Sequence, residues 1–399
     1  MKVNQWTLGL AAAGVISFGA VAQAEEKPSS QVLTAVSSTT LSGYVSTSAM
    51  WAPGTSAGGA NATRTYDGVA KQDGFSLDVI NLTVSKPLDE GEWAAGYTAE
   101  LLVGPDATVF ATGAGAQLAI KQAYVALNAP VGNGITFKLG VWDCPIGYEA
   151  FNYTANPNYS RSIGYAIEPT TYTGLIASYK VCDGLTVGAG VANNPGGAVA
   201  INGRSATESE KAYCAHLTVT APDSWGFLKG STITAGVIDH DSAGGVGSAA
   251  NVINYYVGGS FNTPIEALKI GAAYDYQGRA GSGAAGGATS SSYANAVSLY
   301  TSYALTEKVK INTRAEYASG TSSAFTASAP FANAAKAAVG SNSEFLSITG
   351  TVDYALWANV ISRAEIRWDA DVSGGPQPFG GAADEKNAIT IALNVIYKF

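Results

Sequence analysis

The sequence predicts an all-β fold: a transmembrane antiparallel β-barrel of about sixteen strands, with short periplasmic turns and long extracellular loops. Three observations predict it. Apolar and polar residues alternate in segments that recur from Leu41 onward, short and long connections alternate between these segments, and charges collect on one face of individual segments. Because successive strand residues point to opposite faces, one face of each strand suits lipid and the other suits water.

The last segment, Asn387–Phe399, shows the alternation most clearly. The odd-numbered positions hold the large apolar residues Ile389, Ile391, Leu393, Val395, Tyr397 and Phe399. The even-numbered positions hold Thr390, Ala392, Asn394 and Lys398, with Ile396 as the large apolar exception. The segment resembles the closing strand of bacterial outer-membrane barrels, in which a terminal Phe two residues after a Tyr belongs to the assembly signal. This resemblance implies that Tyr397 and Phe399 form that signal and that the barrel assembly machinery is a partner.

Segments with this pattern have the length that a tilted strand needs to cross a bilayer. They are Leu41–Trp51, Gly74–Lys86, Glu92–Val103, Gln117–Asn128, Gly134–Trp142, Tyr172–Cys182, Leu185–Asn193, Ser209–Thr220, Ser231–His240, Asn251–Asn262, Ala267–Gln277, Tyr293–Tyr303, Lys308–Ala318, Glu344–Ala355, Ala358–Asp369 and Asn387–Phe399. Their even number is what single-chain bacterial barrels require. In the second segment the large apolar residues change from odd-numbered to even-numbered positions between Leu77 and Ile80. This change predicts a β-bulge.

The beginning of the chain has the pattern of a secretory signal peptide. A basic start at Lys2 precedes an apolar run over Leu8–Val21, and Ala22-Gln23-Ala24 is a small-x-small cleavage site. We therefore expect residues 1–24 to be removed on export. Residues 25–40 would form a short periplasmic segment and residues 41–399 the barrel. The expected location is the bacterial outer membrane.

Composition excludes several function classes. The net charge of −8 argues against nucleic acid as a partner. The chain has two histidines, and His240 between Asp239 and Asp241 is the one candidate for base catalysis. Because no nucleotide-binding, zinc-protease or dithiol motif is present, we expect no enzyme, no cofactor and no metal. The spacing of Cys144, Cys182 and Cys214 on the predicted strands predicts free thiols.

The loop Asp143–Thr171 differs in composition from the other long loops. It is rich in aromatic residues, Asn and Pro, whereas the others are mostly Gly, Ala, Ser and Thr. A sixteen-stranded barrel leaves an aqueous channel. In general diffusion porins the loop after the fifth strand, which this loop follows, folds into the barrel and narrows it. We expect the same here, with an external lid or a subunit contact as the alternative.

The predicted strands carry charges that face this loop across the lumen. Charge on the lipid face costs ~2–4 kcal/mol near the bilayer midplane, so a face with several charges must meet water. The candidate constriction charges are Glu149, Arg161 and Glu168 on the loop and Lys310, Arg314, Glu316, Arg363, Glu365 and Arg367 on two strands. A basic wall opposite an acidic loop would set a transverse field that orients solutes. The alternative is ordinary lumen-facing charge without a filter.

Several stretches resemble the OmpL-like β-barrel porin family. They are Ala119–Asn128 (AIKQAYVALN), Lys138-Leu139-Gly140, Pro145–Glu149 (PIGYE), Asn158–Ser162 (NYSRS), Glu168-Pro169 and Thr173-Gly174, together with Leu41–Tyr44 and Ser85–Asp89. The resemblance is strongest over Gln117–Tyr179 and spans the barrel more loosely. It implies an outer-membrane porin. We therefore expect passive diffusion of small hydrophilic solutes and ions, with lipid as a further partner and a homotrimer as an allowed assembly.

A substrate-specific channel is the second function to consider. Tyr148, Tyr159 and Tyr165 on the loop could form an aromatic track on which sugar or oligosaccharide rings stack. Packing or membrane-interface roles are the commoner uses of tyrosine in barrels. The sequence leaves both interpretations of these rings open.

Overall fold

The computed structural model describes residues 32–33, 38–53, 73–109, 117–193, 201–203, 210–241, 251–280, 291–321, 342–374, 379 and 385–399. The predicted signal peptide lies outside the described residues. No helix in the described parts is long and apolar enough to cross a membrane.

The described strands form a closed antiparallel barrel of sixteen strands, β2–β17, and a two-residue strand β1 (Val32–Leu33) that pairs with β2. The barrel strands are β2 (Thr40–Trp51), β3 (Gly74–Lys86), β4 (Ala94–Val103), β5 (Leu118–Ala129), β6 (Ile135–Asp143), β7 (Thr171–Cys182), β8 (Leu185–Asn193), β9 (Lys211–Thr220), β10 (Thr232–Asp241), β11 (Asn251–Asn262), β12 (Leu268–Arg279), β13 (Ser292–Ala304), β14 (Val309–Thr321), β15 (Asn342–Tyr354), β16 (Val360–Asp371) and β17 (Asn387–Lys398). The predicted fold class is confirmed, and the predicted strand ends differ from these bounds by a few residues.

The alternation of side chains separates a lipid face from a lumen face. In β17, Ile389, Ile391, Leu393 and Val395 are exposed on the outside, whereas Thr390, Ala392, Asn394 and Ile396 are buried. Ile396, the apolar exception of the sequence pattern, packs in the lumen with a cluster that includes Tyr44 and Tyr153. The exception therefore has a physical reason, because this part of the lumen is filled by protein rather than water.

The predicted bulge is confirmed in β3. The register of β2 against β3 shifts between Ser46 and Thr47, and Asp78 is the extra residue on the bulged strand. The bulge turns the Asp78 carboxylate inward, where the hydroxyls of Ser46 and Ser48 each donate a hydrogen bond of 2.7 Å to it. A bulge re-aims a side chain in this way because it adds one residue to one strand of a pair.

The barrel closes where β17 pairs with β2. Phe399 extends this seam, since its backbone N–H donates to the Gly43 carbonyl at 3.0 Å and its carbonyl accepts from the Gly43 N–H at 2.9 Å. A Cβ at Gly43 would overlap the Asn81 carbonyl oxygen and lie 2.9 Å from Cζ of the Phe399 ring. Glycine therefore lets the neighbouring strand and the terminal ring approach the seam closely.

Deletion of Phe399 should reduce the amount of folded barrel. The deletion removes two backbone hydrogen bonds and the ring that covers Gly43. Both lie at the seam where the last strand, β17, must pair with the first barrel strand, β2. The measurement is the heat-modifiable, folded fraction in outer-membrane preparations. Phe399→Tyr, which keeps the backbone bonds and the ring, serves as the control. Normal folded amounts of the deletion variant would show that the seam does not need this residue.

Candidate functional site

The loop between β6 and β7 lies inside the barrel. Every residue from Cys144 to Thr170 is buried or half-buried, although the loop belongs to no barrel strand. Its two ends meet, because the Cys144 N–H donates to the Thr170 carbonyl at 2.8 Å. A loop that leaves the wall, is covered along its whole length and returns to the adjacent strand must occupy the lumen.

Polar side chains give the loop a defined backbone conformation. Asn152 caps a 3-10 turn over Tyr153–Ala155, where its side-chain oxygen accepts from the Thr154 N–H. Ser162 caps a one-turn helix over Ile163–Ile167 in the same way. These residues satisfy backbone groups that would otherwise be buried without partners. The asparagines of the loop and Ser162 therefore contribute to its internal structure.

Arg161 stabilises the loop from within. Its guanidinium donates to three loop carbonyls, those of Ala150 at 2.9 Å, Phe151 at 2.6 Å and Tyr159 at 2.8 Å. The same group lies over the Tyr153 ring, 4.6 Å from its centroid. Arg161 was predicted among the charges that line a constriction. The structure places it at the centre of the loop's own fold.

Arg314 on β14 fastens the loop to the wall. This fully buried residue donates from Nη1 to Glu149 Oε1 of the loop at 2.9 Å and from Nε to Glu316 Oε2 of its own strand at 2.7 Å. It also donates to the carbonyl and hydroxyl of Ser160, at 2.9 and 3.0 Å. Glu316 in turn accepts from the Ile163 N–H at 2.6 Å. One cation thus joins a loop carboxylate and a wall carboxylate, each with further hydrogen bonds.

Alternate residues of β16 bind successive parts of the loop backbone. Arg363 donates to the carbonyls of Tyr153 and Asn156, both at 2.8 Å, and Arg367 donates to the Arg161 carbonyl at 2.6 Å. Glu365 accepts from two consecutive loop N–H groups, those of Tyr159 at 2.6 Å and Ser160 at 3.0 Å. Asp353 and Asp369 pair with the two arginines, at 2.9 and 2.8 Å. The period of two in β16 places all three binding side chains on the same lumen face.

The loop also contacts the wall on other sides of the barrel. The Tyr159 hydroxyl donates to the bulge residue Asp78 at 2.9 Å, and the Tyr153 hydroxyl donates at 2.7 Å to Asp106, which lies in the 3-10 turn Pro105–Val109 that follows β4. The Ile167 carbonyl accepts from the side chains of Asn254 on β11 and Gln277 on β12, at 3.0 and 2.9 Å. The loop is therefore held by strands on opposite sides of the lumen. Sequence analysis did not identify these four partners, and the parity change at Asp78 was the one signal for any of them.

Glu168 turns toward β12 rather than toward the basic strands. Its carboxylate lies against Gly147, a residue with a φ of 121°. Burial raises the pKa of Glu168 well above its usual range, and the charge of Asp275 and a hydrogen bond with it raise the pKa further. This part of the loop therefore pairs acid with acid, unlike the contact between Glu149 and Arg314.

Lys310 requires a correction to the predicted loop-facing wall. It lies on the same face of β14 as Arg314 but four residues closer to the periplasmic end, about 13 Å away at the usual rise of a strand. In register it is opposite Asp353 of β15. The pattern of alternation predicts the face of a strand correctly, but it carries no information about the depth at which the loop crosses the lumen.

The predicted aromatic track also requires a correction. Tyr148 is 7% exposed and stacks on Tyr300 of β13 with centroids 4.0 Å apart, while Tyr159 is 0% exposed and stacks on Tyr153 at 5.5 Å. Tyr165 is half-buried, with the Arg161 guanidinium 5.9 Å from its centroid. Because the rings of Tyr148 and Tyr159 are covered by other tyrosines, they pack the loop and present no face to a passing sugar.

The His240 cluster does not bring acid and base together. His240 points into the lumen, where its ring nitrogens lie 3.0 Å from the Asp241 carbonyl and 3.2 Å from the Asn254 side-chain oxygen. Asp239 lies on the outer face and accepts from the Asn251 side chain at 2.6 Å. Within the described residues, no group of three or more His, Cys, Asp or Glu could hold a metal ion. The three cysteines are free thiols, of which Cys214 is buried, Cys144 half-buried and Cys182 exposed.

The comparisons with known proteins identify the family. The family model described as "Putative beta-barrel porin-2, OmpL-like" matches residues 38–399. The chain belongs to this family. It is an outer-membrane porin channel of bacteria. A comparison with curated protein sequences gives no significant match.

Solved structures with the same fold include several outer-membrane channels. The channel DcaP of Acinetobacter baumannii is 14% identical, with a TM-score of 0.60 over 90% of this porin and 97% of DcaP. The anion-selective porin from Comamonas acidovorans is 13% identical, with a TM-score of 0.56 over 90% of this porin and 99% of that chain. OmpT of Vibrio cholerae is 13% identical, with a TM-score of 0.56 over 92% and 100%. Because these sequence identities are below 15%, the similarity to the solved structures establishes the fold alone.

Arg314→Gln should loosen the loop. The change removes both ion pairs of Arg314 and leaves Glu149 and Glu316 buried without their cation, and breaking a buried pair by removing one partner costs about 3–5 kcal/mol. We expect trypsin to cleave the folded porin after Arg161, a bond that the packed loop protects in the wild type. The measurement is the fragment pattern of heat-modifiable, folded protein after limited proteolysis.

Arg279→Gln is the matched control for this experiment. Arg279 is also a lumenal arginine, but it lies at the outer end of β12 and donates to Gln277 of its own strand at 3.2 Å. We expect its cleavage pattern to equal that of the wild type. Equal protection at Arg161 in both variants would show that Arg314 does not hold the loop in place.

Proposed function

We propose that this porin allows passive diffusion of small hydrophilic solutes and ions, and that the loop from Cys144 to Thr170 forms its narrowest point. The observation that carries the proposal is the attachment of the loop backbone to β14 and β16 through Arg314, Arg363, Glu365 and Arg367. A loop held by buried, charge-assisted hydrogen bonds keeps one position and so sets a constant limit on solute size.

The predicted constriction charges have two roles in this proposal. The first role is to hold the loop in contact with the wall, where the acidic and basic charges largely cancel. The residues with this role are Arg314, Glu316, Arg363, Glu365 and Arg367. The contact between Glu149 of the loop and Arg314 of the wall supports the acidic and basic sides that the sequence predicts. Because each of these charges is in an ion pair or, like Glu365, accepts hydrogen bonds from the loop backbone, we propose that their main contribution is the shape of the passage.

Export, assembly and oligomeric state complete the proposal. The signal-peptide pattern of residues 1–24 supports secretion across the inner membrane, and the closure of the seam by Phe399 supports recognition of the last strand by the barrel assembly machinery. Exposed aromatic residues near both ends of the strands, such as Tyr213 at the outer end and Trp93 at the periplasmic end, support contact with lipid headgroups. A homotrimer is compatible with this barrel.

Deletion of Asn152–Ser162 should raise the unit conductance in planar bilayers. The deletion removes the part of the loop that binds Arg363, Glu365 and Arg367 and so widens the lumen at that depth. A deletion of equal length within residues 322–341 of the connection between β14 and β15 is the control, and it should leave conductance unchanged. Heat modifiability verifies folding of each variant.

A second variant makes this test independent of the length of the loop. Replacement of Asn152–Ser162 by Gly and Ser residues keeps the length but removes the Tyr, Asn and Arg side chains that pack the loop. We expect a larger or noisier conductance. Wild-type conductance in both folded variants would mean that the loop does not set the width of the pore.

A further inference from the structure

Two carboxyl groups are in contact where the end of the loop meets the wall. Glu168 follows the one-turn helix Ile163–Ile167, and its side chain forms a hydrogen bond with the side chain of Asp275 on β12. Asp275 is 3% exposed, whereas Glu168 is half-buried, so the contact can exchange a proton with solvent through Glu168. We call these two groups the carboxyl pair.

Two glycines of the loop make room for the carboxyl pair. Gly147 lies against the carboxylate of Glu168, and Gly164 lies against the carboxylate of Asp275. A Cβ at either position would overlap a carboxylate oxygen. The Tyr148 backbone N–H, next to Gly147, donates a hydrogen bond to Glu168. The loop backbone is therefore shaped around both carboxyl groups.

The charged groups that act on the carboxyl pair are acidic. Glu149 of the loop and Glu316 of β14 act on it as like charges, and Arg314 already binds both of these glutamates. Two further titratable groups face the pair, the Tyr256 hydroxyl of β11 and the Cys144 thiol, and both are uncharged at neutral pH. Among the described residues, no lysine or arginine forms an ion pair with either carboxyl group.

The contact within the carboxyl pair depends on a proton. Two carboxylates that touch in a covered site cannot both be ionised, so they share one proton, which forms a charge-assisted hydrogen bond between them. Burial raises the pKa of Glu168 well above its usual range, and this keeps the proton in place at neutral pH. Loss of the proton leaves two negative charges in contact, and their repulsion opposes the attachment of the loop to β12.

The carboxyl pair lies at the one end of the loop that is otherwise held by neutral groups. The Ile167 carbonyl, next to Glu168, accepts from the amide side chains of Asn254 and Gln277. The centre of the loop is held instead by the guanidinium groups of Arg314 and Arg363, which stay charged at every pH that the folded protein meets. A rise in pH therefore weakens the attachment to β12 and leaves the attachment to β14 and β16 in place.

We propose that Glu168 and Asp275 form a proton-dependent latch, which holds the end of the loop against β12 at neutral and acidic pH and releases it at alkaline pH. The inference rests on the proposed diffusion function, since it adds a regulation of the passage that the loop limits. Release would move the helix Ile163–Ile167 away from β12 and widen the passage on that side.

The sign of the pH dependence follows from proton linkage. Released carboxyl groups lose their protons near about pH 4, whereas the closed latch keeps one proton to a much higher pH. The latch is therefore fully stable below about pH 4 and weakens as the pH rises toward the raised pKa of Glu168. Over this range the equilibrium constant for release increases up to about tenfold per pH unit.

The first test is amide hydrogen exchange of the folded porin between about pH 6 and about pH 9, corrected for the intrinsic pH dependence of exchange. In the wild type, protection of the helix Ile163–Ile167 and of Glu168 should fall by up to about tenfold per pH unit. The N–H groups of Tyr159 and Ser160, which bind Glu365 on β16, serve as an internal control and should show no such fall.

Two conservative variants separate the latch from a purely structural contact. In Glu168→Gln and in Asp275→Asn an amide N–H can donate to the remaining carboxylate, so the contact needs no shared proton. We expect both variants to be protected at neutral pH and to lose the pH dependence. Asp239→Asn is the matched control, because Asp239 lies on the outer face of β10 and accepts from Asn251; it should keep the pH dependence of the wild type.

Unit conductance in planar bilayers over the same pH range is the second test. It should be larger at the alkaline end in the wild type and in Asp239→Asn, and constant in the two amide variants. Wild-type protection and conductance that do not change with pH, or a pH dependence that persists in both amide variants, would overturn the latch and leave the diffusion function intact. Folded wild-type protein without conductance at any pH would overturn the diffusion function, while the exchange experiment would still test the latch.

Discussion

The lumen is organised by the need to satisfy buried charge. Once the loop covers β14 and β16, their charged side chains are removed from water, and an ionised group left without a partner there costs several kcal/mol. The loop backbone supplies the missing partners. Its carbonyls accept from Arg363 and Arg367, and its N–H groups donate to Glu365. The conformation of the loop and the charges of the wall therefore depend on each other.

The same contacts solve the opposite problem for the loop. A chain segment without regular structure inside a barrel buries backbone N–H and carbonyl groups that no neighbouring strand can bind by hydrogen bonds. Short capped elements satisfy some of these groups, and side chains of the wall satisfy others, with Asn254 and Gln277 binding the Ile167 carbonyl on the far side. This double requirement explains why the loop is rich in Asn and aromatic residues while the other long loops are not. Its composition reflects a packed environment rather than contact with solvent.

Acidic and basic groups of the lumen are in contact where the loop meets the wall. Arg314 pairs with both Glu149 and Glu316, and the fields of these charges largely cancel. In the proposed function the loop therefore limits the size of a solute more than it selects the sign of its charge. A wide barrel can hold such a loop because its interior is too large to be filled by the side chains of its own wall.

The sequence by itself determined the barrel, the bounds of its strands to within a few residues and the face on which the charges of β14 and β16 lie. This was possible because period-two alternation is a local property that lipid and water impose on every strand separately. Even the bulge at Asp78 was visible as a change of parity. Only the tertiary structure decided which charges meet the loop, so that Arg314 binds it and Lys310 on the same face does not. It also decided that Tyr148 and Tyr159 are covered. These outcomes depend on contacts between residues far apart in the chain, such as Glu149 and Arg314 at a separation of 165 positions, and no local pattern specifies the depth at which such partners meet.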